Sequence, residues 1–213
     1  MIHAAFTQLN SVLCLGAHAD DIEIGCGGTL RKLIELHPGL SVHWVVFSGS
    51  AERAAEARDS AEAFLADAGV HTVTCHAYRD SFFPYQSEAI KETLHTLAST
   101  VSPDLIFSHR PNDAHQDHRV LSELTWCAFR DHAILEYEIP KYEGDLGRPN
   151  VLVELSPQQA RRKVDHLMSA FPSQAGKGWY TEDTFLALMR LRGVECNAPG
   201  RFAEGFYARK LVM

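Results

Sequence analysis

The fold is organised around Val12-Leu13-Cys14-Leu15 and the stretch that follows it, Gly16-Ala17-His18-Ala19-Asp20-Asp21-Ile22-Glu23-Ile24-Gly25-Cys26-Gly27-Gly28. The four apolar residues, bounded by Gly16, predict a short buried strand. His18, Asp20 and Asp21 then lie beyond the carboxyl end of that strand, where open α/β sheets bind their ligands. We interpret His18 and Asp21 as candidate ligands of a divalent metal and Asp20 as a free carboxylate that takes a proton.

Strand and helix patterns alternate along the rest of the chain. We predict strands at 12–15, 40–47, 70–74, 103–108, 133–139 and 151–155, helices at 30–36, 52–68, 88–100 and 119–131, and a further helix from Pro157. Residues 76–87 are too irregular for a regular element. The alternation predicts an α/β protein with a mainly parallel sheet and helices on both faces. Because no repeat, linker or low-complexity segment interrupts the pattern, we expect residues 1–213 to form a single domain.

The composition excludes several classes of protein. The 213 residues are 46% hydrophobic and 22% charged, with a formal charge of −7 and no cluster of Lys and Arg. This balance argues against a nucleic-acid partner or an acidic membrane surface. The five cysteines form no CxxC pair, so a disulfide framework and a cysteine zinc site are not indicated. The chain lacks a signal-peptide pattern and a membrane-spanning apolar run, which predicts a cytoplasmic protein.

A second polar cluster, His115-Gln116-Asp117-His118, also follows a predicted strand. Two histidines three residues apart at the start of a helix face the same side. His18, Asp21 and His118 together supply three ligands and leave a position open, which is the design of catalytic zinc sites. In this scheme Asp20 is the general base and His115 steadies an oxyanion and protonates the leaving amine. Asp117 is expected to orient His115.

These motifs resemble those of a known family. HADDIEIGCGG resembles the His-Pro-Asp-Asp motif of the PIG-L/LmbE metal-dependent N-deacetylases, and NDAHQDHR resembles that family's second signature. Similarity continues at Ser173-Gln174, Arg192-Gly193 and Phe202-Ala203-Glu204-Gly205-Phe206. The resemblance implies a Rossmann-like fold, bound Zn²⁺ or Fe²⁺, and removal of an acetyl group from a glucosamine-type sugar, with the site roles given above. It is also compatible with a homo-oligomer. Ala19 departs from the motif's usual proline, which removes a restraint on the loop but no ligand.

Three arginines are candidates for contact with a small glycoconjugate substrate: Arg53, Arg79 and Arg192. Arg53 also has a structural interpretation, since helix-surface arginines commonly pair with carboxylates three or four residues away. For Arg79 the alternative is that it anchors the irregular loop. The glycines at 25, 27 and 28 do not match GxGxxG, and carboxylates occupy the place of a pyrophosphate, so dinucleotide binding is not expected.

Two alternative functions are compatible with the same residues. A metal-dependent phosphoesterase also uses Asp and His at strand ends, although it commonly needs a second metal ion. A noncatalytic metal-binding interaction module needs the ligands but has no use for Asp20 and His115.

Overall fold

The computed structural model describes residues 3, 5–6 and 8–211, and this part of the chain contains seven strands and six helices. The strands are β1 Ser11–Gly16, β2 Ser41–Ser48, β3 His71–Tyr78, β4 Leu105–His109, β5 Ala133–Tyr137, β6 Val151–Leu155 and β7 Phe202–Tyr207. The helices are α1 Asp21–Leu36, α2 Ala51–Phe64, α3 Ser87–Thr100, α4 Gln116–Ala128, α5 Pro157–Ala170 and α6 Glu182–Glu195. None of these helices is long and apolar enough to cross a membrane.

All seven strands belong to one sheet, in the order β3-β2-β1-β4-β5-β7-β6. Strands β1 to β5 pair in parallel, whereas β7 pairs antiparallel with both β5 and β6. The chain runs from β1 outward to β3 and then returns to the other side of β1 as β4. The carboxyl ends of β1 and β4 therefore border a topological switch point, where α/β sheets form a binding crevice.

Two hydrophobic layers cover the sheet, because successive strand residues point to opposite faces. Val12 and Cys14 of β1 pack with α1, α2, α5 and α6 on one face. Leu13 and Leu15 pack with α3 and α4 on the other. The predicted mainly parallel α/β fold with helices on both faces is confirmed.

Several helix and strand boundaries in the structure differ from the predicted ones. Helix α1 begins at Asp21 rather than near residue 30, so the second aspartate of the motif is its first residue and Asp20 is its N-cap. Strand β3 continues to Tyr78, and a 3₁₀ turn spans Phe83–Tyr85 within the segment predicted to be irregular. Helix α6 and strand β7 were not predicted. The sequence pattern did not predict the true start of α1, because the helix contains three glycines and glycine disfavours helices by about 1 kcal/mol relative to alanine.

Close packing explains one of these glycines. A Cβ built at Gly25 would overlap the ring of Tyr137, which is fully buried and whose hydroxyl donates to Leu15 O at 2.6 Å. Since this ring is enclosed by the core, it has little room to move away. Gly25 lets the start of α1 approach β5.

We expect Gly25→Ala to destabilise the fold by about 1–2 kcal/mol. Overpacking of a core costs about 1–3 kcal/mol, and the better helix propensity of alanine offsets only part of it. Thermal unfolding would show this as a melting point several degrees lower. Gly176→Ala is the matched control, because no atom lies within 4 Å of the position of its Cβ. Equal melting points for the two variants would contradict the packing argument.

Candidate metal centre

The ends of β1 and β4 bring the two polar clusters together. His18 and Asp20 lie in the turn between β1 and α1, and Asp21 is the first residue of α1. His115 is the N-cap of α4, and His118 lies in the first turn of that helix. Because β1 and β4 are parallel neighbours, both clusters project from the same edge of the sheet.

Three side chains converge with the spacing of a metal site. His18 Nδ1 lies 3.1 Å from His118 Nε2 and 3.2 Å from Asp21 Oδ2, and His118 Nε2 lies 3.5 Å from Asp21 Oδ1. A tetrahedral zinc ion with bonds of about 2.0–2.1 Å separates its ligand atoms by about 3.3–3.4 Å. The two imidazole nitrogens and the Asp21 carboxylate, which meets each ring through a different oxygen, therefore fit a zinc-type ion.

The charges around this trio also favour a cation. Although burial opposes its ionisation, the surrounding imidazoles lower the pKa of Asp21 well below its usual range. Burial and then the neighbouring His109 lower the pKa of His118 to about 3, so its ring is neutral. Burial likewise opposes charge on His18, but Asp21 and two further carboxylates raise its pKa well above the ordinary value. The carboxylates thus favour positive charge at the position that a metal would occupy.

Asp113 and His109 support the trio from behind. Asp113 Oδ2 lies 3.0 Å from His118 Nδ1, which leaves Nε2 of the same ring facing His18 and Asp21. A carboxylate behind a ligating imidazole fixes its tautomer and orientation. The buried His109, the last residue of β4, stacks on His118 with ring centres 3.9 Å apart and places Nε2 3.2 Å from Asp21 Oδ2.

Asp20 stands beside the trio and pairs with an arginine. Arg53 Nη2 donates to Asp20 Oδ1 at 2.9 Å. The same guanidinium donates to Glu56 at 2.9 Å and to Ser173 Oγ at 3.1 Å, which holds it in the wall of the cleft. Burial raises the pKa of the Asp20 carboxyl, and Arg53 opposes this increase. An elevated carboxyl pKa brings a general base closer to neutral pH.

His115 and Asp117 are connected differently from the prediction. The Asp117 backbone N–H donates to His115 Nδ1 at 3.3 Å, so a neutral His115 ring carries its proton on Nε2. Burial, followed by the charge of His18, lowers the pKa of His115. The Asp117 carboxylate instead accepts the N–H groups of Ser81 and Phe83 at 2.6 and 3.1 Å and lies 3.4 Å from His18 Nε2. Asp117 therefore fixes the loop after β3 beside His18.

A cleft of about 600 Å³ opens above these residues, and its wall includes His18, Asp20, Asp21, His115, His118 and Arg53. The other two candidate substrate arginines do not line it. Arg79 is exposed and its guanidinium lies 3.5 Å above the ring of Phe82. Arg192 is buried and forms a two-pronged ion pair with Glu138, at 2.8 and 2.7 Å.

Sequence reasoning did not identify Asp113, His109 or Lys141 as part of the site. Asp113 precedes His115 by two residues, so the D-x-H-x-D-H spacing was the available signal. His109 is a polar residue at the end of a buried strand, which was a weaker signal. Lys141 lies 3.0 Å from Asp113 Oδ1, but it follows β5, and no local pattern linked it to the second cluster.

We expect Asp113→Asn to weaken metal binding by about 10- to 100-fold, which is the usual effect of removing a carboxylate behind a ligating histidine. The measurement is metal competition against a chromogenic chelator. Asp131→Asn is the matched control, because that aspartate side chain is 90% exposed. Wild-type affinity in the Asp113 variant would mean that this carboxylate does not support His118.

Two curated relatives share part of the sequence. YaiS of Escherichia coli, described as an uncharacterized deacetylase, is 27% identical over 141 residues, which cover 61% of this chain and 74% of YaiS. The diacetylchitobiose deacetylase of Thermococcus kodakarensis is 27% identical over 136 residues, which cover 55% of this chain and 48% of that enzyme. The second match therefore spans about half the length of the relative.

Among solved structures, the fold is shared with GalB, the 4-carboxy-2-hydroxymuconate hydratase of Pseudomonas putida. The TM-score is 0.73 at 17% identity, and the alignment covers 96% of this chain and 98% of GalB. At this identity the likeness shows the fold alone. The family is shown by a separate match: residues 13–129 fit the PIG-L family, described as GlcNAc-PI de-N-acetylase. That span includes both polar clusters, and the chain belongs to the PIG-L family.

Proposed function

We propose that the protein is a metal-dependent hydrolase that removes the acetyl group from an N-acetylated aminosugar. The observation that carries the proposal is the convergence of His18 Nδ1, His118 Nε2 and Asp21 at 3.1–3.5 Å, with Asp20 beside them in a cleft. The family match and the two deacetylase relatives support the same reaction. We propose Zn²⁺ as the metal, with Fe²⁺ as the alternative.

The side chains divide the reaction between them. His18, Asp21 and His118 would hold the ion, which when bound supplies a Lewis acid for the amide carbonyl and makes water more acidic. Asp20 takes the proton of the attacking water, since its raised pKa suits a base working near neutral pH. The Nε2–H of His115 donates to the oxygen that gains charge. Because the neutral ring has no second acidic proton to give, the leaving amine receives the proton that Asp20 took from the water.

Arg53 and Asp117 act through their neighbours in this scheme. Arg53 orients the Asp20 carboxylate and, as part of the cleft wall, is the best placed of the three candidate arginines to contact the substrate. The Asp117 carboxylate orients His18 and the loop after β3, whereas the contact of Asp117 with His115 is through the backbone N–H. We assign Arg79 and Arg192 to loop and core packing.

The test is acetate release from N-acetylated sugars and sugar conjugates by metal-depleted protein and by protein reloaded with Zn²⁺ or Fe²⁺. Release that requires metal, with one equivalent bound, is the expected result. Two bound equivalents with phosphate-ester cleavage would favour a phosphoesterase. Metal binding without turnover of either substrate would indicate a binding module. Because the hydratase GalB shares the fold, we also include an assay for hydration of an unsaturated acid.

A further inference from the structure

The mouth of the cleft carries two aromatic side chains from separate loops. Tyr142 comes from the segment between β5 and β6, and Trp179 from the segment between α5 and α6. Tyr142 is 75% exposed although it borders a cavity. A Cβ built at Gly178 would lie 3.7 Å from the Tyr142 hydroxyl, so the two loops approach each other there. Both lie outside the span matched to the family.

The loop that bears Tyr142 is fixed to the candidate metal centre. Lys141 Nζ lies 3.0 Å from Asp113 Oδ1 and donates to both carboxylate oxygens of Asp145 at 2.8 Å. Asp145 in turn accepts the Ala114 N–H at 2.7 Å and pairs with Arg110. These charged side chains are largely buried, so the residues on either side of Tyr142 are held before a ligand binds. Such preorganisation lowers the entropic cost of binding.

The turn that bears Trp179 is similarly ordered. The Lys177 N–H donates to Gln174 O, and the Tyr180 N–H donates to Lys177 O, both at 3.0 Å. The indole meets the rings of Tyr180 and Phe185 edge to face, at 5.5 and 6.4 Å between centres. Its orientation is therefore set by the core.

The side-chain oxygen of Gln174 is a buried polar atom of this wall without a hydrogen-bond partner in the described part of the chain. Gln174 is 4% exposed and lines the cleft, and its Oε1 accepts no hydrogen bond there, while its Nε2 donates to Ser173 Oγ at 3.0 Å. Buried acceptors of this kind normally have a donor. A ligand hydroxyl or amide N–H can supply it.

The charges around the mouth favour an uncharged ligand. Of the three cations in the cleft wall, Arg53 is paired with Asp20 and Lys141 with Asp113 and Asp145. Lys177 remains, with its Nζ 5.8 Å from the centre of the Trp179 ring, and the carboxylate of Glu143 belongs to the same wall. Tight binding of a phosphate commonly uses several free cations or a bidentate arginine, and this rim offers neither.

We propose that Trp179, Tyr142 and Gln174 form a subsite for an uncharged, hydroxylated ring, such as a second sugar unit, attached to the acetylated aminosugar. The apolar C–H face of the sugar stacks on the aromatic side chains, and one of its hydroxyls donates to Gln174 Oε1. This inference rests on the proposed function, because it names the part of the substrate that lies beyond the acetylated ring.

The test compares kcat/KM for N,N′-diacetylchitobiose and for N-acetylglucosamine, measured as acetate release by the metal-loaded enzyme. The wild type is expected to prefer the two-ring substrate. Trp179→Ala and Tyr142→Ala should each reduce that preference about three- to tenfold, the size of a lost aromatic stacking contact. Trp179→Phe should retain most of it. Tyr85→Ala is the matched control, since Tyr85 is 83% exposed and lies outside the cleft wall.

A binding measurement separates the subsite from the reaction. In the Asp20→Asn background, calorimetry should show N,N′-diacetylchitobiose binding that weakens several-fold when Trp179→Ala is added. If wild-type protein releases no acetate from any sugar, the proposed function is wrong and this binding measurement alone decides the subsite. An unchanged substrate preference in both alanine variants, or stronger binding of N-acetylglucosamine 1-phosphate than of the disaccharide, would overturn the subsite.

Discussion

Replacing Asp20 by Asn is expected to lower kcat by about 10²- to 10⁴-fold while the bound metal is retained. A positioned general base commonly contributes a factor of this size, and asparagine keeps the shape of the side chain but cannot take a proton. The substitution should be tolerated structurally, because Arg53 keeps its contacts with Glu56 and Ser173. Steady-state acetate release and metal analysis of the same preparation provide the two measurements.

Asp59→Asn is the matched control for this experiment, since it changes an exposed aspartate on α2. It should retain wild-type turnover. Full activity in the Asp20 variant would show that Asp20 is not the general base. Loss of the metal from that variant would instead place Asp20 among the ligands.

Replacing His118 by Ala is expected to abolish metal binding at micromolar concentrations and, with it, activity. The substitution removes one of three protein ligands and exposes Asp113, whose carboxylate faces His118 Nδ1 at 3.0 Å. Metal analysis after dialysis should give a metal-to-protein ratio near zero. His118→Gln should also lose most of the metal, because an amide is a poorer zinc ligand than imidazole.

His132→Ala provides the comparison, because this half-buried histidine lies beside Asp131 and outside the wall of the cleft. It should keep the full metal content. A wild-type ratio in the His118 variants would show that the ion binds elsewhere. The alternative metal site formed by Asp21, His109 and His118 would then also be excluded, because it uses the same imidazole.

Local sequence patterns predicted much of the fold. Alternating apolar runs and helical spacings identified strands β1 to β6 and helices α1 to α5, with shifted boundaries, because burial on one face leaves a periodic pattern in the sequence. The predicted helix start at Pro157 is confirmed, and Ser156 and Gln159 form a capping box there. The predicted start of α1 was wrong. Gly25 and Gly28 pack closely against Tyr137 and Leu155, where a Cβ would overlap those side chains, and that requirement overrides helix propensity.

The sequence by itself determined the α/β class, the family and the residues available for chemistry, because these depend on spacing along the chain. Only the tertiary structure decided which atoms meet. His18 Nδ1 faces His118 Nε2 across 100 residues of sequence. The Asp117 carboxylate contacts the loop after β3 and His18, and only the Asp117 backbone N–H contacts His115. Lys141, Tyr142 and Trp179 enter the site through loops that follow β5 and α5. Contacts of this kind arise from the order in which strands assemble in the sheet, and no local periodicity encodes them.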